Sequence, residues 1–474
     1  MPSVVQTETQ LERTLGLTAA LMIGVGTMIG AGIFVLPGPA ADRAGPAIVI
    51  SFLIGGVIAM LTALSASELA TAMPAAGGSY HYINRGLGPF FGAIAGLGNW
   101  LGLAFATAFY VLGFGSYLGL VLATVTTPVV AVGPYALTDA QLGGIAAAIC
   151  FVAVNYVSTK STGDLQNVIV IGLLIILGAF VVASAYVADL ATLRPFVPEG
   201  FGPILPATAL IFVSYLGFVK ITTVAGEVRN PSRNLPRALV GSVALVTVLY
   251  VIIMIVVMGV VDRGTIATSE TAVATVAGVV TAEVFGYTWI GIGVLTFAGL
   301  LATASSANAS ILAASRINFA MGRDKIVSPW VNAIHPRFNT PGRAILLTGG
   351  CVVLFVLIGD VATLAKAAAV LHLLVYGLVN IALIVFRETD TPEYAPTFTV
   401  PLYPWIPIAG ALSSFGLIAF MDPIEIGLAG AFVLAGVIWY VGYVRTHTED
   451  DSALARYRRP ETVEARVEVE MENE

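Results

Sequence analysis

The chain has 474 residues, of which 57% are hydrophobic and 11% are charged, and its formal net charge is −6. Soluble domains carry about 25% charged residues, so this composition excludes an ordinary water-soluble protein and indicates a chain that lies mostly in lipid. Both cysteines, Cys150 and Cys351, lie within apolar runs, which argues against a disulfide framework and against a cysteine zinc site.

Twelve apolar runs, joined by short polar connections, follow one another along the chain. Each is close to the length of about 20 mostly apolar residues that a membrane-spanning helix needs. The first run is far longer than the apolar core of a secretory signal, about 7 to 15 residues, so we expect it to remain in the mature protein. The predicted spans are 17–41, 46–71, 90–123, 141–157, 165–188, 203–225, 237–261, 286–319, 342–359, 364–386, 404–421 and 424–444.

Charge divides the chain into three parts and gives it a predicted orientation. We predict a cytoplasmic N-terminal segment at 1–16, a transmembrane domain at 17–445 and an acidic, mostly disordered cytoplasmic tail at 446–474. Cytoplasmic loops carry an excess of Lys and Arg, and most of these residues share a side with the N-terminus, so both termini are expected inside. The loops of the opposite side hold only Arg43, Arg194, Arg263 and Lys366.

Glycines crowd the first span, and an intramembrane lysine interrupts the sixth. The first span contains Gly24, Gly26, Gly30 and Gly32, although each glycine in a helix interior costs about 1 kcal/mol relative to alanine. By spacing alone they indicate either close helix packing or a helix that breaks within the membrane. Lys220 lies five spans later, and paired interruptions in two halves point to a transporter's binding site, which favours the break.

Four motifs give the chain a resemblance to a known family. They are IGAGIF at 29–34, PAAGGSY at 74–80, GEVRNPSRNLP at 226–236, and Ser315-Arg316 with Gly322-Arg323-Asp324 at the end of the eighth span. With these motifs in this order, the chain resembles the amino acid, polyamine and organocation (APC) superfamily of permeases.

The resemblance implies the fold class, an all-α polytopic membrane protein with 12 transmembrane helices. Five helices, at about 17–190, would be repeated with inverted topology at about 203–387, and two extra C-terminal helices would follow at about 404–444. Helices 1 and 6 would be discontinuous.

The resemblance also implies that the broken helices 1 and 6 hold a substrate amino acid. Helix N-terminal ends suit a carboxylate because their N–H groups are free and partly positive. Carbonyls between 213 and 217 would accept from the substrate ammonium. Ala31 stands where the family often has serine, so one side-chain donor is missing. The implied substrate residues are Gly30, Ala31, Gly32, Ile33, Val213, Leu216, Gly217 and Lys220.

A candidate sodium site involves the eighth span, where helical spacing puts Ala302, Ser305 and Ser306 on one face. Sodium-coupled relatives of this fold hold an ion between helices 1 and 8, which by position adds the carbonyls of Gly26 and Ile29. The alternative is that the serines bond to their own helix or pack as small residues.

The fifth span bears on the choice of coupling ion. A proton-driven branch of the superfamily has a lysine in the fifth helix in place of the ion. Here the fifth span has no charged residue, and Leu174 stands at about that position. Sodium is therefore favoured over the proton, while proton coupling and exchange stay open.

Lys220 is unusual because a charge at the bilayer centre costs about 2.5 to 3.5 kcal/mol on insertion scales. Three interpretations stay open: a structural contact with an acidic partner or with the membrane interface, an internal cation that replaces an ion or relays a proton, and a pocket wall that favours acidic or neutral substrates. Glu68 and His372 are interpreted as structural residues.

We predict a secondary active amino acid transporter that works by alternating access and is cation-coupled. An exchanger and a transporter-like nutrient sensor are the alternatives. The sequence has no zinc-protease motif, nucleotide-binding loop or potassium-channel filter, so neither an enzyme nor a channel is expected. The expected partners are an amino acid and the lipid bilayer. We expect no nucleic acid, no cofactor beyond a coupling sodium ion, and a monomer or homodimer in the plasma membrane.

Overall fold

The structure is a computed structural model that describes residues 13–74, 77–122, 130–132, 135–157, 163–389, 391 and 394–458. These residues are mainly helical, with one hairpin of two antiparallel strands, β1 (Val130–Val132) and β2 (Tyr135–Leu137). The first helices in chain order are α1 (Leu17–Ile29), α2 (Ala31–Val35), α3 (Pro37–Ala44), α4 (Ile48–Ala72), α5 (Gly78–Leu87), α6 (Pro89–Leu122), α7 (Asp139–Val157) and α8 (Gly163–Val187).

The second half begins with a segment that changes its helix type. The α-helix α9 (Ile204–Ile211) passes into a 3-10 segment (Phe212–Val219) and then into α10 (Lys220–Thr223). The remaining helices are α11 (Pro231–Val260), α12 (Arg263–Ala267), α13 (Ala272–Phe285), α14 (Thr288–Arg323), α15 (Gly342–Ile358), α16 (Val361–Glu388), α17 (Trp405–Ile418), α18 (Pro423–Trp439), α19 (Arg445–His447) and α20 (Ala453–Arg458).

Ten helical stretches in the described ranges are long and apolar enough to cross a membrane, and each coincides with a predicted span. The two other predicted spans, 342–359 and 404–421, coincide with the shorter apolar helices α15 and α17. The protein is therefore helical and polytopic. The count of twelve spans and the inverted repeat remain predictions.

Among the described helices of ten or more residues, α5 and α13 lie outside the predicted spans. Both Gly77 and Gly78 have positive φ, 118° and 55°, and they allow a sharp turn between α4 and α5. Helix α5 contains the polar residues His81 and Arg85, so it is not a long apolar run and was not predicted as a span. Helix α13 is apolar but shorter than a typical span, and it ends at Gly286, where φ is 78°.

The motif at 226–236 forms a helix start instead of a loop. Helix α11 begins at Pro231, not at the predicted position 237. Asn230 adopts a left-handed φ of 46° just before it. Proline suits the first helical turn because the N–H group that it lacks would have no partner there.

The broken elements lie inside a frame of long helices. Helix α6 packs against α14 and α16, and α4 packs against α11. Between them, α1 contacts both α11 and the 3-10 segment, and Ile29, Ala31 and Phe212 are completely buried. The chain interruptions are thus at the centre of the bundle, where water and lipid are both excluded.

Ion pairs connect the loops at two separate ends of the bundle. Arg43 and Lys366, both predicted outside, bond to Asp422 at 2.7 Å, and these bonds lower the pKa of Asp422 to about 2. Arg387, predicted inside, binds Glu68 at 2.6 Å. Every ion pair given for the described residues joins groups that the sequence assigns to one side.

The first part of the tail, up to residue 458, is helical in places and contacts the bundle. Helix α18 continues through a π-helical turn (Tyr440–Val444) into α19, and α20 packs against α5 and α16. Ser452 and Ala453 are only 3% and 2% exposed, so part of 446–458 lies on the bundle, and the disorder of the tail stays a prediction. The physical reason for this contact is a short neutral stretch, 452–455, that gives the charged tail a face to bury. The predicted disorder of 459–474 lies outside the described residues.

Candidate functional site

The first membrane segment is interrupted at Gly30. Helix α1 ends at Ile29 and α2 begins at Ala31, because Gly30 has φ −31° and ψ −147°, which no helix contains. A Cβ atom on Gly30 would lie 2.5 Å from Ser306 Oγ and 3.3 Å from Tyr110 Cε1. The break and its close neighbours therefore require glycine at this position.

The second interruption is milder than the predicted unwinding. From Phe212 to Val219 the chain keeps turning as a 3-10 helix, in which carbonyls bond to the N–H three residues later. The predicted row of free carbonyls from Val213 to Gly217 is therefore not fully exposed. A Cβ on Gly217 would lie 2.5 Å from Met28 N, so the two interrupted segments approach at backbone distance.

Buried hydroxyl groups bond to several backbone carbonyls beside the interruptions. Thr27 Oγ1 donates to Gly217 O at 3.0 Å, Tyr376 OH donates to Leu216 O at 3.2 Å, and Tyr250 OH donates to Met28 O at 2.5 Å. Sequence reasoning did not identify these hydroxyls. A signal was present, because a tyrosine within an apolar span needs a hydrogen-bond partner for its hydroxyl.

Ser214 lies directly against the start of α2. A Cβ added to Gly32 would clash with the Ser214 side chain and would lie 2.9 Å from Ser214 Cα. Ser214 is 1% exposed, and its hydroxyl has no hydrogen-bond partner among the described residues. Ile33 is fully buried beside this contact. Ser214 was also missed, because one serine in an apolar run gives no sequence signal.

The candidate sodium ligands are only partly brought together. Ser306 Oγ lies 3.4 Å from Gly26 O. Ser305 Oγ instead donates to Gln166 Oε1 at 2.8 Å, so its hydroxyl is engaged by the fifth membrane segment. Ala302 and Ile29 are fully buried, and no hydrogen bond links either of their carbonyls to the two serine hydroxyls.

Two residues of α8, Gln166 and Val170, face the first interrupted segment. A Cβ on Gly26 would lie 2.8 Å from Gln166 Nε2 and would also meet the Val170 side chain. These residues precede Leu174 by two turns and one turn, and the placement of Leu174 at the position of the family's lysine stays a prediction. A position estimated by counting along a span does not fix which face of the helix points inward.

Lys220 is buried, at 6% exposed, without an ion pair among the described residues. Its Nζ donates to Ser310 Oγ at 2.7 Å and lies 5.7 Å from the centre of the Tyr110 ring. Glu227 instead lies 3.6 Å from Arg316. The structural interpretation that relied on an acidic partner therefore has no such partner in the part of the chain that is described.

Glu68 and His372 make the structural contacts expected of them. The Glu68 carboxylate is fully buried and accepts from Arg387 at 2.6 Å through each oxygen, from Tyr394 OH at 2.7 Å and from Val400 N at 2.6 Å. His372 Nδ1 lies 2.8 Å from Ala368 O, one turn back in its own helix.

Two cavities open at the predicted inner end of the bundle, away from the interruptions. The larger, of about 470 Å³, is lined by α5, the end of α14 and the segment after α19, including Arg85 and Asp324. Tyr80 OH donates to Asp324 at 2.9 Å across this end. Burial lowers the pKa of His81, which lines both cavities, to about 4. Neither cavity reaches Gly30.

Comparison with known proteins agrees with this architecture. The family model described as amino acid permease matches residues 15–443. A branched-chain amino acid permease of Bacillus subtilis (strain 168) is 28% identical, over 93% of this chain and 95% of its own length. An uncharacterised transporter of Mycobacterium tuberculosis (strain ATCC 25618 / H37Rv) is 31% identical, over 91% of each chain. A serine/threonine exchanger of Bacillus subtilis (strain 168) is 26% identical, over 91% of this chain and 97% of its own length.

The match covers both interrupted segments and the long helices that enclose them. The relatives are named as transporters and not as enzymes. The chain therefore belongs to the amino acid permease family of the APC superfamily and is a membrane transport protein.

Proposed function

We propose that this protein is a secondary active amino acid transporter that works by alternating access around its two interrupted helices. The observation that carries the proposal is the break at Gly30, packed against the 3-10 segment at the centre of the bundle. A transporter must expose one central site to each side in turn, and short helix pieces can tilt independently of their frame.

The substrate would bind as a zwitterion between the interrupted segments. The N–H groups of Ala31, Gly32 and Ile33, which follow the break, would receive the carboxylate. The ammonium would approach carbonyl oxygens of the 3-10 segment, near Leu216 O, which accepts a hydrogen bond from Tyr376 OH. The buried tyrosine hydroxyls hold this backbone in place for binding.

We propose cation coupling, with sodium favoured over the proton. Support comes from Ser306 Oγ beside Gly26 O and from the oxygen of Gln166, since sodium prefers a cage of neutral oxygen ligands. These residues would hold the ion, and its charge would help to order the first helix. One observation supports proton coupling instead, namely the buried ammonium of Lys220.

Exchange is the second candidate function, and a specific similarity favours it. One relative that matches almost the full chain is named a serine/threonine exchanger. A transporter-like nutrient sensor is the third alternative. We further propose a plasma-membrane location with both termini cytoplasmic, in a monomer or homodimer.

The proposed function is tested by binding and then by transport. The Tm of the purified protein is measured with each of the twenty amino acids, in buffer that contains either sodium or potassium. We expect one class of amino acid to raise Tm, and sodium to enlarge the shift. Proteoliposomes with that amino acid should show saturable uptake driven by a sodium gradient.

The same vesicles separate the alternatives. Uptake only when amino acid is preloaded inside would favour exchange over symport. Binding without any flux would favour the sensor. No Tm shift with any of the twenty amino acids would contradict the proposal.

A further inference from the structure

The Ser214 hydroxyl is one of a few hydroxyls in the described membrane helices that are buried without a hydrogen-bond partner. Serine and threonine in these helices mostly donate to a carbonyl about one turn back, as Ser67 does to Ala63 O at 2.6 Å and Thr208 does to Ile204 O at 2.8 Å. Ser214 makes no such bond, although it is 1% exposed. A buried hydroxyl without a partner destabilises a protein, so its presence here indicates a role other than stabilising the fold.

The position of Ser214 indicates that role. Its side chain occupies the space beside Gly32, within the short stretch that follows the break at Gly30. The break is flanked on another side by Ser306 and Tyr110, which approach Gly30 itself. Ser214 is thus an unbonded donor beside Gly32, in a sequence where Ala31 offers no side-chain donor.

We propose that the Ser214 hydroxyl binds the substrate by donating a hydrogen bond to its carboxylate. This inference rests on the proposed function and adds a substrate-binding residue that lies outside the four sequence motifs. The hydroxyl would complete the set of donors formed by the backbone at 31–33. It also explains why Gly32 must be glycine, since any side chain there would displace Ser214.

The proposal predicts opposite effects on stability and on affinity. Ser214→Ala removes an unbonded buried hydroxyl, so the Tm of the substrate-free protein should stay the same or rise. Affinity for the amino acid should fall on the order of tenfold to a hundredfold, the range for a hydrogen bond to a charged group. Ser214→Cys, which keeps the size but donates weakly, should lose affinity similarly.

The experiment uses full-length protein in detergent and two probes. One is the amino acid that raises Tm most among the twenty, and the other is its primary carboxamide, which keeps the ammonium and side chain but lacks the carboxylate. Both are titrated by calorimetry against wild type and Ser214→Ala. Ser414→Ala is the matched control, because Ser414 Oγ is also buried without a partner but lies in α17, away from the break.

The carboxamide should bind the wild-type protein more weakly than the amino acid does. Ser214→Ala should hardly change the affinity for the carboxamide. The control should leave both affinities unchanged. Unchanged amino acid affinity in Ser214→Ala would overturn the assignment, and so would an equal loss for both probes, which would indicate packing. If wild type binds none of the twenty amino acids, the proposed function fails, and the assignment fails with it.

Discussion

Buried polar residues of this protein fall into two groups. Glu68 has every oxygen bonded, to a guanidinium, a hydroxyl and a backbone N–H, so its charge is fully compensated. Lys220 has one neutral hydroxyl and the face of an aromatic ring, and Ser214 has no partner among the described residues. Compensated groups stabilise one conformation, whereas uncompensated groups beside a break are suited to bind a ligand.

Glu68→Ala should strongly destabilise the protein. It leaves the Arg387 guanidinium, 21% exposed, beside a buried gap, and breaking a buried ion pair by removing one partner costs about 3 to 5 kcal/mol. The measurement is thermal unfolding in detergent. Glu388→Ala, which removes an exposed acceptor of Tyr403 OH, is the control and should change stability by less than about 1 kcal/mol. Equal Tm values for the two variants would contradict this interpretation.

Lys220→Met should alter substrate charge preference or coupling without loss of stability, because it replaces a buried charge that has no acidic partner with an apolar chain of similar length. Binding of acidic, neutral and basic amino acids, and the pH dependence of uptake, would be compared with wild type. Lys366→Met is the control. It removes ion pairs to Asp422 and Glu425, so it should lower Tm and leave preference unchanged. Wild-type behaviour of Lys220→Met in both assays would leave only a packing role.

Ser305→Ala combined with Ser306→Ala should abolish the sodium dependence of amino acid binding. Of the two single variants, Ser306→Ala should have the larger effect, because Ser306 lies by Gly26 O while Ser305 is bonded to Gln166. Ser413→Ala, which removes a hydroxyl of α17, serves as control. A double variant that keeps the full sodium response would remove this ion site from consideration.

Among the secondary-structure elements, the two interrupted helices matter most for the proposed mechanism. Two segments leave the regular α-helix where they touch each other, and each contact is made by a glycine: Gly217 against Met28, and Gly32 against Ser214. The piece of the first segment after the break is also anchored, since Arg43 of α3 binds Asp422 ahead of α18. Any motion of this piece must therefore break or carry along that ion pair.

Gly32→Leu should abolish amino acid binding while the protein still inserts and folds as a helical protein. A side chain at this position collides with Ser214 backbone and side chain, which separates the two interrupted segments. Binding is measured by the Tm shift, and folding by size-exclusion chromatography and circular dichroism. Gly172→Ala in α8, where nothing lies within 4 Å of the new Cβ, should bind normally. Normal affinity in Gly32→Leu would exclude this site.

At the scale of the whole molecule, the tail connects the predicted inner end to the centre. Helix α20 packs on α5, and Gly78 of α5 lies against Thr222 and Thr223 of α10, the last piece of the second interrupted segment. The tail therefore restrains a helix that touches a moving part of the proposed mechanism.

Ending the chain after Thr448 should loosen α5, because it removes the buried contacts of Ser452 and Ala453. We expect faster hydrogen exchange in 78–87 and a lower Tm. Ending the chain after Arg458 keeps those contacts and is the matched control. Identical exchange of α5 in the two truncations would mean that α20 does not hold it.

The sequence by itself determined the membrane environment, the approximate spans and the family, because long apolar runs and local glycine motifs act through the chain near them. It also indicated that the glycine-rich first span and the sixth span, which contains Lys220, are interrupted, but it did not choose among Gly24, Gly26, Gly30 and Gly32 as the point of the break. Only the tertiary structure decided that Gln166 faces Gly26, that tyrosine hydroxyls hold the backbone, and that Ser214 meets Gly32. These contacts join residues far apart in the chain, and their geometry depends on helix rotation, which the periodicity of an all-apolar helix does not specify.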